Sequence, residues 1–502
     1  MGNAVDWFVD RHVREGRGDR IAFIDPWRML TYGELDTASR RFASALTRAG
    51  VQPEQRVVIL LLDTVDFPIA FWGCLRAGVI PVPINTLLTP DMVAYILADS
   101  RAEAVVISAP LVGGVADGRR MVVSNPDGST DGADFQAFLA SGDPTTPTLP
   151  RSSDEVAFWL YSSGSTGAPK GVRHVHASLR DTAETYAAQV LGIRSDDVMF
   201  SVAKAFHAYG LGNSLTFPMA VGATAIFLPD RPTPDAVLDV MRKHQPTLFA
   251  GVPTLFAAML AHPFIGPKAG SDRLRLCISA GEALPADIGH RWHSLVGIDI
   301  LDGIGSTEML HIFISNRPGD IRYGTSGKPV PGYEARVVDE HDRPVPHGEE
   351  GELVVRGPSA AEGYWNQRAK TRATFRGEWT YTGDTYIRDA DGYFRFRGRS
   401  DEMLKVSGVW VSPFEVEEAL ISHPAVLEAA VIGLRDRDDL TKPKAFVVLR
   451  DGGSGTDDLV IVLQSHVKDR VGVWKYPRWI EFVDGLPKTA TGKIQRFRLR
   501  ET

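Results

Sequence analysis

Between residues 161 and 171 the chain reads Tyr161-Ser-Ser-Gly-Ser-Thr-Gly-Ala-Pro-Lys-Gly171, with hydroxyls at Ser162, Ser163, Ser165 and Thr166, glycines at Gly164, Gly167 and Gly171, and one cation, Lys170. Residues this small let backbone N–H groups approach phosphate oxygens, the hydroxyls add donors and the lysine adds charge, so the segment is expected to cradle phosphate. It is not a GxxxxGK[ST] loop, because Gly167-Ala-Pro-Lys170 has the wrong spacing and Gly171 follows the lysine. Kinase-type and motor nucleotide hydrolases are therefore disfavoured. Nucleophilic-serine and zinc hydrolases are disfavoured as well, since no GxSxG elbow and no HExxH occurs. His174 and His176 have no third ligand at a metal-binding spacing and are expected to be structural.

Four more blocks combine glycines, hydroxyls and charges: Gly303-Ile-Gly-Ser-Thr-Glu308, Tyr381-Thr-Gly-Asp384, Gly398-Arg-Ser-Asp401 with Lys405-x-x-Gly408, and Pro487-Lys-Thr-Ala-Thr-Gly-Lys493. Taken alone, each has an ordinary explanation. A glutamate after threonine is usually solvated, Asp384 would serve a turn, and a lysine near a C-terminus is normally a surface charge. Their order along one chain is what gives them meaning.

The elements that must position these groups alternate in the first half. A capping-box pattern at Thr31-x-x-Glu34 opens a helix bearing Leu35, Ala38, Phe42 and Leu46, and a buried strand follows at Val57 to Leu62. A helix around Phe71 to Ala77, a strand at Ala104 to Ile107 and a strand at Val156 to Tyr161 continue the α/β pattern, the last running into the phosphate segment ahead of a helix. Asn125 to Ala133 reads as an exposed loop. After about residue 330 short strands such as Ala335 to Val338, Leu353 to Val355 and Tyr393 to Phe396 predict a β-rich subdomain. The last hundred residues carry an α+β set, with Ser412-Pro413-x-Glu415 capping a helix through Leu420 and strands at Leu427 to Ile432 and Ala445 to Leu449. The expected fold is therefore α/β: a large N-terminal domain of α/β layers plus a β-rich subdomain, residues 1–399, and a small α+β C-terminal domain, residues 400–502.

With 502 residues, 44% hydrophobic and 23% charged, the chain can bury large cores without disulfides or metals. A net charge of −7 without a long basic run argues against nucleic acid as a partner. Cys74 and Cys277 stand far apart without CxxC spacing, which fits a reducing cytoplasm. The N-terminal residues lack a basic and apolar leader, and the densest apolar run, Val57 to Leu62, is about a third of a membrane span, so no membrane association is expected.

Together the five blocks, spanning residues 161 to 496, resemble the adenylate-forming superfamily of acyl-CoA synthetases, peptide-synthetase adenylation domains and beetle luciferases. The resemblance implies activation of a carboxylic acid with ATP and Mg²⁺. It implies a nucleotide site built from Ser162, Ser163, Gly164, Ser165, Thr166, Gly167, Lys170, Gly281, Glu282, Asp302, Gly303, Gly305, Asp384, Arg399 and Gly408. Thr307 would touch the α-phosphate, Glu308 would hold the metal, Asp384 would accept the ribose hydroxyls, and Lys493 would bridge the carboxylate and the α-phosphate. A C-terminal domain hinged at Asp401 would be mobile. Phe206-His-Ala-Tyr-Gly210 is similar to the family's aromatic gate, placing His207 between acyl pocket and thiol tunnel. Ala208-Tyr-Gly-Leu-Gly-Asn213 and Gly305-Ser-Thr-Glu-Met-Leu-His311-Ile-Phe look most like benzoate–CoA ligases and related aryl–CoA ligases, in which Ala208, Tyr209, His311 and Ile312 would line a short flat pocket. Arg173 and the run Ala203-Lys-Ala-Phe-His207 depart from that pattern and leave room for a substituted benzoate. Three outcomes stay open: an aryl–CoA ligase using coenzyme A, an aryl-acid adenylating enzyme that loads a carrier-protein thiol, and a non-catalytic acyl-adenylate binding protein.

Overall fold

A computed structural model describes residues 2–115, 120–125, 135–164, 167–399, 403–406, 409–437, 440–450, 455–472, 475–488 and 494–500. Its largest element is a nine-stranded sheet whose middle strands, Ile21–Ile24, Thr224–Ile226, Val198–Ser201, Leu248–Gly251, Leu276–Ser279 and Ile300–Gly305, run parallel. Antiparallel strands close both edges: Met29–Thr31 on one side, Ile312–Ser315 and Lys328–Pro329 on the other. The parallel strands are apolar runs because helices cover both their faces. A second, four-stranded parallel sheet contains Ile80–Pro83, Arg56–Leu60, Ala102–Ser108 and Arg120–Ser124.

The helix Tyr32–Arg48 begins where the sequence places it: Thr31 accepts the Glu34 N–H and Glu34 reaches back to the Thr31 N–H. That reciprocal cap contributes about 1 kcal/mol. Its buried stripe of Leu35, Phe42 and Leu46 packs on the helix Asp66–Arg76. A Cβ on Gly73 would stand 2.6 Å from the Phe42 ring, so glycine sets the spacing of the pair. Arg76 is fully buried yet paired, at 2.7 Å from Asp10 and 2.9 Å from Asp36. Removing either carboxylate would leave part of that buried charge uncompensated.

Residues 334–399 form the β-rich subdomain, an antiparallel sheet of Glu334–Val338, Glu350–Arg356, Phe375–Arg376, Trp379–Arg388 and Phe394–Arg399. In the small C-terminal domain Ser412 caps the helix Pro413–Ile421 through the Glu415 N–H, and Val426–Arg435, Thr441–Leu449 and Trp479–Phe482 make a sheet. Its core, including Val416, Leu420, Val431, Val447 and Leu463, is separate from those of the N-terminal domain. The loop expected at Asn125 to Ala133 lies outside the described residues, apart from Asn125 itself. Among the described residues no helix is long and apolar enough to cross a membrane.

One local expectation fails. The phosphate segment does not lead from a strand into a helix; it joins Val156–Gly164 to Gly167–Val175 as an antiparallel hairpin, and a helix starts only at His176. The physical reason is cross-strand packing. Val172 lies opposite Leu160, and the side-chain-free Gly171 lies opposite Tyr161, whose ring covers it.

Candidate active site

The chemistry-bearing blocks gather at the carboxyl ends of the parallel strands, where open α/β sheets present their ligand crevices. His207 follows Val198–Ser201, Gly281 and Glu282 follow Leu276–Ser279, and Asp302, Gly303 and Gly305 close Ile300–Gly305. The hairpin supplies the opposite wall. Ser162 pairs in register with Lys170 and Gly164 with Gly167. The Ser162 hydroxyl is buried without a hydrogen-bond partner among the described residues, a donor held in reserve. Ser163 belongs to the first hairpin strand, whereas Ser165 and Thr166 lie outside the described residues.

Lys170 and Glu308 face each other at 3.9 Å, each side chain only 17% and 16% exposed. Burial lowers the lysine pKa, and Glu308 partly offsets that. Tyr364 organises both: its hydroxyl donates to Glu308 Oε1 at 2.8 Å and its ring lies 4.3 Å from Lys170 Nζ. Tyr364 reaches this position because its short strand Gly363–Tyr364 pairs with Val172 and Arg173. Behind them the Thr307 carbonyl accepts from His174 Nε2 at 2.7 Å. Burial pushes His174 down to about 4, so it is a neutral donor stacked on Phe158. His174 is therefore structural, as expected, and what it supports is the threonine of the site. His176 accepts the Ala4 N–H.

The turn from Gly305 to Ile312 is tight. A Cβ on Gly305 would lie 2.6 Å from the His311 carbonyl oxygen and one on Gly303 2.8 Å from that of Ile314, so both positions need glycine for strand approach. Leu310, buried, holds φ +64°, a conformation that costs a non-glycine residue about 1 kcal/mol and recurs at functional sites. Asp302 is buried; its carboxylate accepts the Leu284 N–H at 3.3 Å, and burial raises its pKa well above the usual range. Asp384 and Arg399 are cross-strand neighbours, joined at 3.1 Å. Glu282 accepts the N–H of Ile494, the residue after Lys493, at 2.9 Å. Lys493, Gly408 and Asp401 lie outside the described residues.

At the other end of the turn the surroundings are apolar. His311 is 3% exposed, set against Phe217, Tyr186 and Tyr209 with ring centroids 4.4, 5.3 and 5.6 Å away. Burial drives its pKa down to about 3, leaving a neutral imidazole whose Nε2 donates to the Tyr209 carbonyl at 3.2 Å. Gly212 is required beneath it, since a Cβ there would stand 2.3 Å from the imidazole. The Tyr209 hydroxyl lies 3.2 Å from the carbonyls of Gly251 and Ile278. Ile312 is buried beside Gly303, and Ala208 packs against the main core. His207, pushed down to about 4 by burial, keeps Nε2 without a partner among the described residues.

Sequence reasoning missed Tyr364 and the support under residues 203–207. There Asp63, fully buried and pushed up to about 6, accepts the Ala205 N–H at 3.1 Å, and Lys204 donates to the Asp230 carbonyl at 2.8 Å. Gly363-Tyr-Trp-Asn366 offered a signal for the tyrosine, an aromatic beside a glycine at φ +119°. Asp63 had none.

A family model described as "AMP-binding enzyme" matches residues 9–365, and one described as "AMP-binding enzyme C-terminal domain" matches residues 415–493. The chain is 54% identical to a benzoate–CoA ligase of Thauera aromatica, over 99% of this chain and 95% of the relative. It is 51% identical to a 4-hydroxybenzoate–CoA/benzoate–CoA ligase of Rhodopseudomonas palustris, over 99% and 94%. Among solved structures, a benzoate CoA ligase from Burkholderia xenovorans superposes with TM-score 0.93 at 50% identity, covering 100% of both chains. An anthranilate CoA ligase in complex with anthranoyl-AMP gives 0.93 at 42% identity, covering 99% and 96%. From fold, site and relatives alike, the chain belongs to the AMP-binding enzyme family of adenylate-forming ligases.

Proposed function

We propose that this protein is a cytoplasmic aryl–CoA ligase acting on benzoate or a small ring-substituted benzoate. The carboxylate oxygen attacks the α-phosphorus of ATP and pyrophosphate leaves. The coenzyme A sulfur then attacks the acyl carbon of the aroyl-AMP and AMP leaves, carrying the bonding electrons on its phosphate. One observation supports this reading above others: a single eight-residue turn, Gly305 to Ile312, carries Thr307 and Glu308 toward Lys170 at one end and sets His311 and Ile312 among buried aromatic side chains at the other. A carboxylate on a flat ring seated among them meets the phosphate wall.

In this reading the hairpin hydroxyls and Lys170 hold the β- and γ-phosphates, Thr307 donates to the α-phosphate, and Asp384, kept in place by Arg399, accepts the ribose hydroxyls. Lys493 brings positive charge where carboxylate and α-phosphate meet, the place where negative charge concentrates in the transition state. Mg²⁺ fits Glu308, a hard oxygen donor beside the phosphate wall, and when bound it neutralises phosphate charge. The domains divide near residue 400, and the C-terminal one turns between the half-reactions about Asp401. His207 separates the aryl pocket from the thiol path.

The test is product analysis with ATP, Mg²⁺, a panel of aryl and alkyl acids, and either coenzyme A or a phosphopantetheinylated carrier. Benzoyl-CoA or a hydroxy- or aminobenzoyl-CoA, with AMP and pyrophosphate, is expected. Aroyl transfer to the carrier alone would replace the thiol assignment, and absence of any aroyl-AMP would leave a binding protein.

A further inference from the structure

The segment Gly281 to Ala286 is gripped from two directions. It leaves the strand Leu276–Ser279, turns at Gly281 with φ +94°, and enters the helix Ala286–Val296. Glu282 reaches out from it to accept the Ile494 N–H at 2.9 Å. In the reverse sense Glu418, on the C-terminal helix Pro413–Ile421, accepts the Ala286 N–H at 3.5 Å. Ile421, on that helix, packs against the cluster containing Leu284 and Ile288. Each domain thus offers a carboxylate to a backbone N–H of the other, with apolar packing beside the pair.

The position of the first contact matters. Ile494 directly follows Lys493 and lies in an antiparallel bridge to Lys488, which fixes the chain on the far side of the lysine segment. A carboxylate bonded to a backbone amide positions the main chain whatever side chain stands at 494. Charge-assisted bonds of this kind are also among the stronger ones.

We propose that Glu282 is a positioning residue for adenylation: its carboxylate holds the backbone at Ile494, keeping the C-terminal domain in the orientation that activates the acid, and must release it for the thioester step. This rests on the two-step reading above. Two features separate the assignment from a purely structural role: the bond joins two domains rather than closing a core, and its acceptor can be replaced by a neutral isostere.

The experiment compares E282A, E282Q, I494P and the double variant E282A/I494P in both half-reactions. Adenylation is read by pyrophosphate exchange with benzoate, and thioester formation by benzoyl-CoA released from supplied benzoyl-AMP. In E282A and I494P, exchange is expected to fall about tenfold through kcat, with the KM for ATP little changed, because one charge-assisted bond is lost. Thioester formation should fall far less than exchange. E282Q keeps an acceptor oxygen and should recover most of the exchange. The double variant should lose less than the sum of the two single losses, since both remove the same bond. If I494P fails to fold, the contrast of alanine with glutamine at 282 carries the test.

Equal loss in both half-reactions, additive losses in the double variant, or a rise in KM for ATP at constant kcat would overturn the proposal, the last by making Glu282 a nucleotide ligand. Wild-type enzyme that exchanges no pyrophosphate with any aryl acid would instead overturn the activity on which the proposal rests.

Discussion

The two ends of the Gly305 to Ile312 turn lie a few residues apart and are solvated in opposite ways. At the phosphate end Lys170 and Glu308 stay partly open, 3.9 Å apart, with Tyr364 touching both. A pair that loose can exchange its partners for a triphosphate without first breaking a tight ion pair. At the aryl end burial drives His311 to about 3 and His207 to about 4, so each imidazole is neutral near pH 7. Around His311 stand the aromatic faces of Phe217, Tyr186 and Tyr209, and its one N–H is already donated to the Tyr209 carbonyl.

The comparison breaks most visibly through groups that supply positive charge at the phosphate end. Lys493→Ala is expected to cut adenylation by about 10²-fold or more while sparing thioester formation from supplied aroyl-AMP. Pyrophosphate exchange near the wild-type rate would remove Lys493 from its assigned place. A smaller effect follows from Glu308→Gln, which keeps the shape and an acceptor for Tyr364 but deletes the charge facing Lys170. Adenylation should fall by about 10- to 100-fold and need more Mg²⁺ for half-saturation. An unchanged Mg²⁺ requirement would place the metal elsewhere.

How far this division could be read from the sequence also differs between the two ends. The phosphate end carries the stronger residue signal because small residues, hydroxyls and charges at fixed spacing have few structural uses, and in the fold Lys170 faces Glu308 and Asp384 pairs with Arg399. The strand order of the sheets was not legible, because hydrophobic periodicity reports burial and not neighbours. The hairpin was misread as a strand and helix: glycines mark a turn in either setting, and only the pairing of Val172 with Leu160 decides between them. Tyr364, distant in sequence from Glu308, reaches it only through the pairing of its strand with Val172 and Arg173. At the other end His311 carries no chemical signature of its own, since its surroundings of Tyr186, Tyr209 and Phe217 arise only from packing.

That packing makes His311→Ala a test of shape. Removing the imidazole opens space bounded by Gly212, Phe217 and Tyr186. Steady-state kinetics should show kcat/KM for bulkier aryl acids rising relative to benzoate by about tenfold, the lower end of what one methylene of pocket volume is worth. A melting curve should record a cost of about 2–4 kcal/mol for the cavity where no large acid fills it. If the ratio of the two substrates is unchanged, His311 is packing alone and the pocket floor lies elsewhere.

The smallest expected effect concerns protons. His207 titrates near 4 in the folded protein and near 6.5 when unfolded, so as pH falls below 6.5 the unfolded chain takes up a proton that the native site refuses until about 4. Its linkage is absent above pH 6.5, and stability is lost progressively as pH falls from 6.5 to 4. Asp63, under the same segment and raised to about 6, has the opposite sign: the native state binds the extra proton, and stability is gained as pH falls through 6 toward 3.8. Neither absolute curve isolates the histidine, but a difference does. His207→Phe keeps an aromatic of similar volume and removes the proton site together with the unpartnered Nε2. Its stability relative to wild type should be flat above pH 7 and improve by about 2 kcal/mol by pH 5, measured by urea unfolding at each pH. A difference that is constant from pH 7 to 5 would mean that the imidazole titrates normally, and the aryl end would then be wetter than its packing implies.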